Sequence, residues 1–283
     1  MSKMENKSML QDWITSWNKV KKNSNNMEKF WDFRAERFNN KVPKNPCGSS
    51  EIVEMLKNKG YVDKKMRVLD IGCGPGAQTL ALACEVKEVI ATDISQNMLD
   101  YLKKNSDSLG YENIKLLKGN WRDIKLTQIG GQGSFDLVFA SMTPGVNCYE
   151  TLLKMIKASK KYCYLSGFVK RKDLIADEIK EVLKGKYKRE DMWDDKIYYA
   201  FNVLYCSGYF PEIKYKHRNW EDEIEIKEAE EFYKQKFSNS YTLDEKDMFV
   251  IKNILQKHET MGKVREKTEV TQGYLTWEVG GHK

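Results

Sequence analysis

The chain has 283 residues, of which 41% are apolar and 31% charged, with a formal net charge of +7. That composition supports one sizeable core with additions and excludes a globally disordered chain. No apolar run approaches the roughly 18 residues of a membrane span, and the opening MSKMENKSMLQDW lacks the apolar core of a signal peptide, so a cytoplasmic protein with no membrane partner is expected.

Residues 1–45 are polar, with Trp13, Trp17, Phe30, Phe33 and Phe38 at helical spacing. NNMEKFWDFRAERFNN reads as an amphipathic helix, and Pro43, Pro46 and Gly48 end this N-terminal helical cap. SSEIVEMLKNKG opens on a serine cap and stops at Gly60. Strands and helices then alternate: MRVLDI, a helix over Ala77–Cys84, EVIATDI, the serine-capped SQNMLDYLKKNSDSLG, NIKLLKGN, SFDLVFAS, the helix YETLLKMIKASK and KYCYLSGF. This order predicts an α/β fold, a Rossmann-like doubly wound and mostly parallel sheet. Helices are expected over Lys172–Lys184, Asp194–Cys206, Lys227–Lys236 and Leu243–His258, with PEIKYKHRNW and GYLTWEV as a sixth and a seventh strand. The division expected is a cap over 1–45 and a main domain over 46–283, with substrate-side helical elements within about 170–262.

The positive surplus sits early, with 14 Lys and Arg against 8 Asp and Glu in residues 1–65. Such a surplus suits nucleic acid or another anion, or simply solubility. The six cysteines form no CxxC pair and the three histidines stand apart, so no metal site is expected. The thiols are read as reduced apolar fillers.

VLDIGCGPGAQ carries the chemistry. A strand ends at Asp70, and Gly72, Gly74 and Gly76 follow before a helix whose first N–H groups face any ligand there. Asp93 ends the second strand, where such folds hold ribose hydroxyls. Gly72, Gly74 and Ala77 also satisfy the loose dinucleotide pattern. Asp70 beside the loop argues against it, because a carboxylate repels a pyrophosphate and suits an ammonium and a sulfonium.

VLDIGCGPG, TDIS with NML, GNWRDI and FDLVFAS occur in order and together resemble the motifs of class I S-adenosylmethionine-dependent methyltransferases. The resemblance spans about residues 64–170. FWDFRAERFN is similar to the cap helix of small-molecule members, and CSGYFPEI and GYLTWEV to the last two strands, the final one antiparallel. The resemblance implies S-adenosylmethionine as cofactor. Asp70 and the loop Gly72, Cys73, Gly74 and Gly76 would hold its methionine end, and Asp93 its ribose. Ile94 and Met98 would pack on the adenine, Asn120 would accept from its amino group, and Trp121 would offer it a backbone N–H. Ser141 would lie beside the sulfonium, and Trp31 with Arg34 would cap the cofactor or pack their own helix.

SMTPGV, Ser141–Val146, lacks the paired prolines and aromatic residue of base and glutamine N-methylation motifs. Lys170–Lys172 and His217–Trp220 are expected as loops after strands five and six, facing the cleft and fitting an anionic acceptor against aromatic walls. His217 is the candidate base, and Lys184–Glu190 reads as a solvated surface. The reading is a methyltransferase acting on a small-molecule acceptor. The alternatives are an RNA methyltransferase and a non-catalytic S-adenosylmethionine-binding regulatory protein.

Overall fold

A computed structural model describes residues 3–19, 27–183, 195–238 and 242–280. Lys184–Glu190 lies outside the described residues. Two helices lead the chain, α1 (Lys3–Lys19) and α2 (Met27–Asn39), followed by α3 (Glu51–Asn58). Ser50 caps α3 by accepting from the Val53 N–H. The alternating section follows as β1 (Arg67–Ile71), α4 (Ala77–Ala83), β2 (Glu88–Asp93), α5 (Gln96–Ser108), β3 (Ile114–Lys118), β4 (Phe135–Ala140), α6 (Tyr149–Ala158) and β5 (Ser159–Asp173). The remainder is α7 (Leu174–Val182), α8 (Lys196–Cys206), β6 (Glu212–Glu225), α9 (Ile226–Ser238), α10 (Glu245–Lys257), β7 (Glu259–Thr260) and β8 (Lys263–Glu278).

The strands form one sheet in the order β3-β2-β1-β4-β5-β8-β6, with β7 a two-residue addition to β8. This makes eight strands where seven were expected. β1 to β5 pair in parallel, and β8 runs antiparallel to both β5 and β6. Order reverses between β1 and β4, so a ligand crevice is expected at their carboxyl ends.

One face of the sheet packs under α1, α6 and α8 through Leu69, Val138, Leu165, Trp277 and Trp17, the last 1% exposed. The other packs under α3 and α4 through Leu56, Leu80, Leu137, Phe139 and Tyr164. A third cluster, Ile175, Ile179, Phe232, Tyr233, Ile251 and Val264, joins α7, α9 and α10 to the far ends of β6 and β8.

Three strands run well past their expected ends. β5 reaches Asp173, β6 reaches Glu225 and β8 begins at Lys263. Lys170–Lys172, expected as a loop, and His217–Trp220, expected at the end of strand six and as the loop leaving it, are therefore all strand residues. Their mixed, charged sequence reads as solvated chain, but here it alternates across a wall that stands above the parallel strands. A register shift between Phe168 and Lys170 on β5 sets Arg171 opposite Val270 and Asp173 opposite Thr268.

Cys47 and Cys84 are joined by a disulfide, contrary to the reduced state expected from their spacing. They stand 37 positions apart and carry no motif. Only folding brings the segment before α3 against the end of α4. Cys73, Cys148, Cys163 and Cys206 are free thiols. Among the described residues, no helix is long and apolar enough to cross a membrane.

Candidate active site

The glycine loop leaves β1 at Ile71 and turns over the end of β2, where the Gly72 and Cys73 N–H groups donate to the Thr92 carbonyl at 2.7 and 3.1 Å. Gly72 has φ 70° and Gly74 φ 55°, the left-handed region that disfavours side chains. The two glycines do different work. A Cβ on Gly72 would stand 2.0 Å from Thr143 Oγ1, so the loop after β4 needs that glycine for packing. A Cβ on Gly74 would meet nothing nearer than Met98 Sδ at 3.9 Å, so the space beside Gly74 is open.

Asp70 is 2% exposed and receives one side-chain hydrogen bond, from Thr79 Oγ1 at 2.6 Å. Burial pushes its pKa up to about 7, with the Thr79 bond opposing and the Asp93 charge reinforcing the shift. Asp93 is buried at the end of β2, and burial also raises its pKa. Its Oδ2 accepts from Gly74 N and its Oδ1 from Ser95 N, each at 2.9 Å. The two carboxylates thus flank the glycine loop.

The other expected residues divide. Ile94 lies between Asp93 and α5, and Met98, in the first turn of α5, is 2% exposed. Cys73 is half-buried, and burial raises its thiol pKa well above the ordinary value, which suits a filler and not a nucleophile. Asn120 Oδ1 accepts from Arg122 N at 3.0 Å, closing a local turn. The Trp121 indole points into the core, donating to the Thr151 carbonyl at 3.1 Å under Lys154. Ser141 Oγ lies 3.2 Å from Ser166 Oγ on β5. Trp31 packs on Phe30 and Phe38, and Arg34 lies among Phe30, Trp31, Phe38 and Phe232. Burial lowers the Arg34 pKa to about 10, and its Nε has no hydrogen-bond partner among the described residues. His217 is exposed and pairs with Thr271 Oγ1 at 3.0 Å, on the face of the wall opposite Lys216 and Arg218. The structure does not bring it together with Ser141.

Several residues at the site carry no sequence signal. Asp32 on α2 accepts from Ser95 Oγ and from Asn97 N at the start of α5. Arg37, on the same helix, donates to Asp222 on β6 at 2.8 Å and to Glu266 on β8. α2 therefore bridges the Asp93 side of the sheet to the wall. Lys196 Nζ donates to the carbonyls of Thr143 (3.0 Å) and Ser166 (2.8 Å), tying the loop after β4 to β5. A side chain on Gly167 would collide with it, a Cβ standing 2.6 Å from Lys196 Cε. A broader recess of about 490 Å³ lies at the amino ends of β1 and β2, lined by Arg67, Glu88 and Lys115. It is the wrong end of a parallel sheet for ligand chemistry, and Arg67 and Lys115 both pair with Glu88 there.

Comparison with known proteins supplies the family. A family model described as "Methyltransferase domain" matches residues 62–204, half of the chain. An uncharacterized protein of Haemophilus influenzae is 27% identical over 183 residues, covering 63% of this chain and 62% of that one. The release factor glutamine methyltransferase of Xylella fastidiosa is 36% identical over 77 residues, 26% of each chain. The chain thus spans under two thirds of the length of these relatives. Phosphoethanolamine N-methyltransferase 2 of Haemonchus contortus, solved with phosphomonomethylethanolamine and S-adenosylhomocysteine, superposes with a TM-score of 0.52 at 14% identity, over 89% of this chain and 60% of that one. At that identity the likeness is one of fold. The glycine loop at the switch point, the flanking acids and the matched family model together place this chain in the methyltransferase-domain family, among the class I S-adenosylmethionine-dependent methyltransferases.

Proposed function

We propose that the chain transfers a methyl group from S-adenosylmethionine to a small-molecule acceptor. The observation that carries the acceptor class is the roof. Asp32 ties α2 to α5 and Arg37 ties it to β6 and β8, so the carboxyl ends of the central strands lie beneath a helix. Such a site suits a molecule that diffuses in and is enclosed. Among the described residues, part of the positive charge of the first 65 is already paired. Arg37, Lys41, Lys57 and Lys59 each pair with a carboxylate.

The residues fit the cofactor. Asp70 is a buried carboxylate short of positive partners, which an ammonium would supply, and the space beside Gly74 admits a ligand. When bound, S-adenosylmethionine supplies a methyl group already activated on a sulfonium. The chain's own task is then alignment: the glycine loop and Asp70 hold the methionine end, Asp93 the ribose, and Ser141 and Ser166 border the acceptor side. Proximity can carry much of the rate, and a base is needed only where the nucleophile arrives protonated.

Asp93→Ala is expected to weaken cofactor binding by about 1–3 kcal/mol, because hydrogen bonds to an ionised group are lost. Calorimetric titration checks this, and unchanged affinity would remove the ribose role.

Residues 1–45 act as the cap in this reading, through α2. Trp17 of α1 is buried in the core, so deleting the whole segment would damage the fold. Asp32→Ala is the cleaner test. It is expected to speed S-adenosylhomocysteine release several-fold in stopped-flow measurements, and an unaltered off-rate would reduce α2 to packing.

The primary experiment titrates the protein with S-adenosylmethionine and S-adenosylhomocysteine, with NAD as control, followed by turnover on an acceptor panel. Salt-sensitive RNA binding with methylation of RNA would overturn the small-molecule reading.

A further inference from the structure

A cleft of about 120 Å³ lies between α3 and the face of the wall formed by β5, β8 and β6. Tyr164 and Tyr274 line it with rings 6.2 Å apart and 26° from parallel. Ser166 is among its lining residues, and its hydroxyl is 3.2 Å from Ser141 Oγ and accepts from Met142 N. The cleft therefore opens beside the carboxyl end of β4, where the reacting end of the cofactor belongs in the proposed function.

Its rim is cationic. Lys216 and Arg218 are two residues apart on β6 and point to the same face. Both turn to a single carboxylate, Glu51 in the first turn of α3. The Glu51 side chain is 69% exposed, and its pKa is lowered by Lys216 first and then by Arg218. Arg218 Nε also donates to Gln272 Oε1 at 3.2 Å, which holds the guanidinium on the rim. Two cations thus share one exposed anion. An ion pair so exposed is weak and readily exchanged. A guanidinium and an ammonium side by side suit the oxygens of a carboxylate or phosphate, the former by a fork of two donors.

We propose that this cleft is the acceptor subsite and takes a small acid with a flat body. The acid group displaces Glu51 and bridges Lys216 and Arg218, and the body lies along Tyr164 and Tyr274 towards Ser166. The inference rests on the methyltransferase reading and specifies its substrate class.

The test is calorimetric titration of the full chain saturated with S-adenosylhomocysteine. The probes are benzoate, phenyl phosphate and neutral benzyl alcohol. At least one acid is expected to bind ten times more tightly than benzyl alcohol, and the tighter acid identifies carboxylate or phosphate as the recognised group. Arg218→Gln is expected to weaken that acid about tenfold. Glu51→Gln, which removes the internal competitor, is expected to tighten it several-fold, and neither should move benzyl alcohol. Two acids that bind no better than benzyl alcohol would overturn the proposal, as would acid affinity unchanged in both variants. S-adenosylhomocysteine affinity, measured in the same samples, separates the two levels. Normal cofactor binding without acid preference refutes the subsite alone, whereas no cofactor binding in the unaltered protein refutes the methyltransferase reading and the subsite with it.

Discussion

Asp70→Asn is expected to stabilise the ligand-free protein at pH 8 by roughly 2–4 kcal/mol and to weaken cofactor binding about 100-fold. Asp70 is fully enclosed, receives one hydrogen bond from Thr79, and has a pKa pushed up to about 7 by burial. Its folded pKa lies above the unfolded value near 4. Below about pH 4 the acid is neutral in both states and folding carries no penalty from it. As pH rises towards 7 the unfolded chain ionises first, and that stability is lost, completely so above 7. Asparagine stays neutral throughout, so the variant and the parent should melt alike near pH 4 and diverge at pH 8. The same linkage predicts that cofactor affinity weakens as pH falls below about 7, since the acid must give up a proton before pairing with an ammonium. Chemical denaturation at both pH values and titration with S-adenosylhomocysteine check the two halves. Normal binding by the variant would remove Asp70 from the cofactor site, and a variant less stable at pH 8 would mean the carboxylate supports the fold.

Gly72→Ala is expected to lower stability by about 2–4 kcal/mol and to abolish cofactor binding, a sum of crowding and left-handed backbone strain. The added methyl would lie 2.0 Å from Thr143 Oγ1 and 2.5 Å from Thr143 Cβ, with φ at 70°. The loop after β4 must then move, and with it Ser141. Gly110 separates the two causes, because its φ is 72° but nothing lies within 4 Å of its would-be Cβ. Gly110→Ala should cost only about 1–2 kcal/mol and leave binding intact. Pairing Gly72→Ala with Thr143→Gly should recover the crowding share and leave the strain. Equal losses at Gly72 and Gly110 would show that Thr143 does not press on the loop.

The contrast between these glycines marks what a linear reading can reach. VLDIGCGPG states that a tight turn follows β1, because glycine spacing and the strand before it are local features. Which glycine is pressed by Thr143, 71 positions later, depends on the loop after β4 folding back over β1. The same holds for the carboxylates. Asp70 and Asp93 are legible as strand-end acids, but the burial that perturbs them comes from the whole assembly.

The alternation of apolar runs and capped helices from residue 50 to 166 determined the doubly wound sheet by itself, since each strand there is a short apolar run bounded by turn residues. Beyond residue 166 local signals fail. Arg171, Asp173, Arg218, Asp222 and Glu266 look like solvated chain, and only tertiary pairing with Arg37 and Lys236, and within the wall itself, turns those segments into strands. Trp17 and Trp31 sit in similar polar helices, yet one enters the core beside Tyr199 and the other joins the roof. Cys47 and Cys84 meet only when α3 and α4 pack. The sequence alone thus determined the cofactor fold, whose signals are local periodicity and turn chemistry. Tertiary structure decided the place of α2 and the wall of β5, β8 and β6, because long-range ion pairs and strand register hold them and neither leaves a periodic trace in the chain.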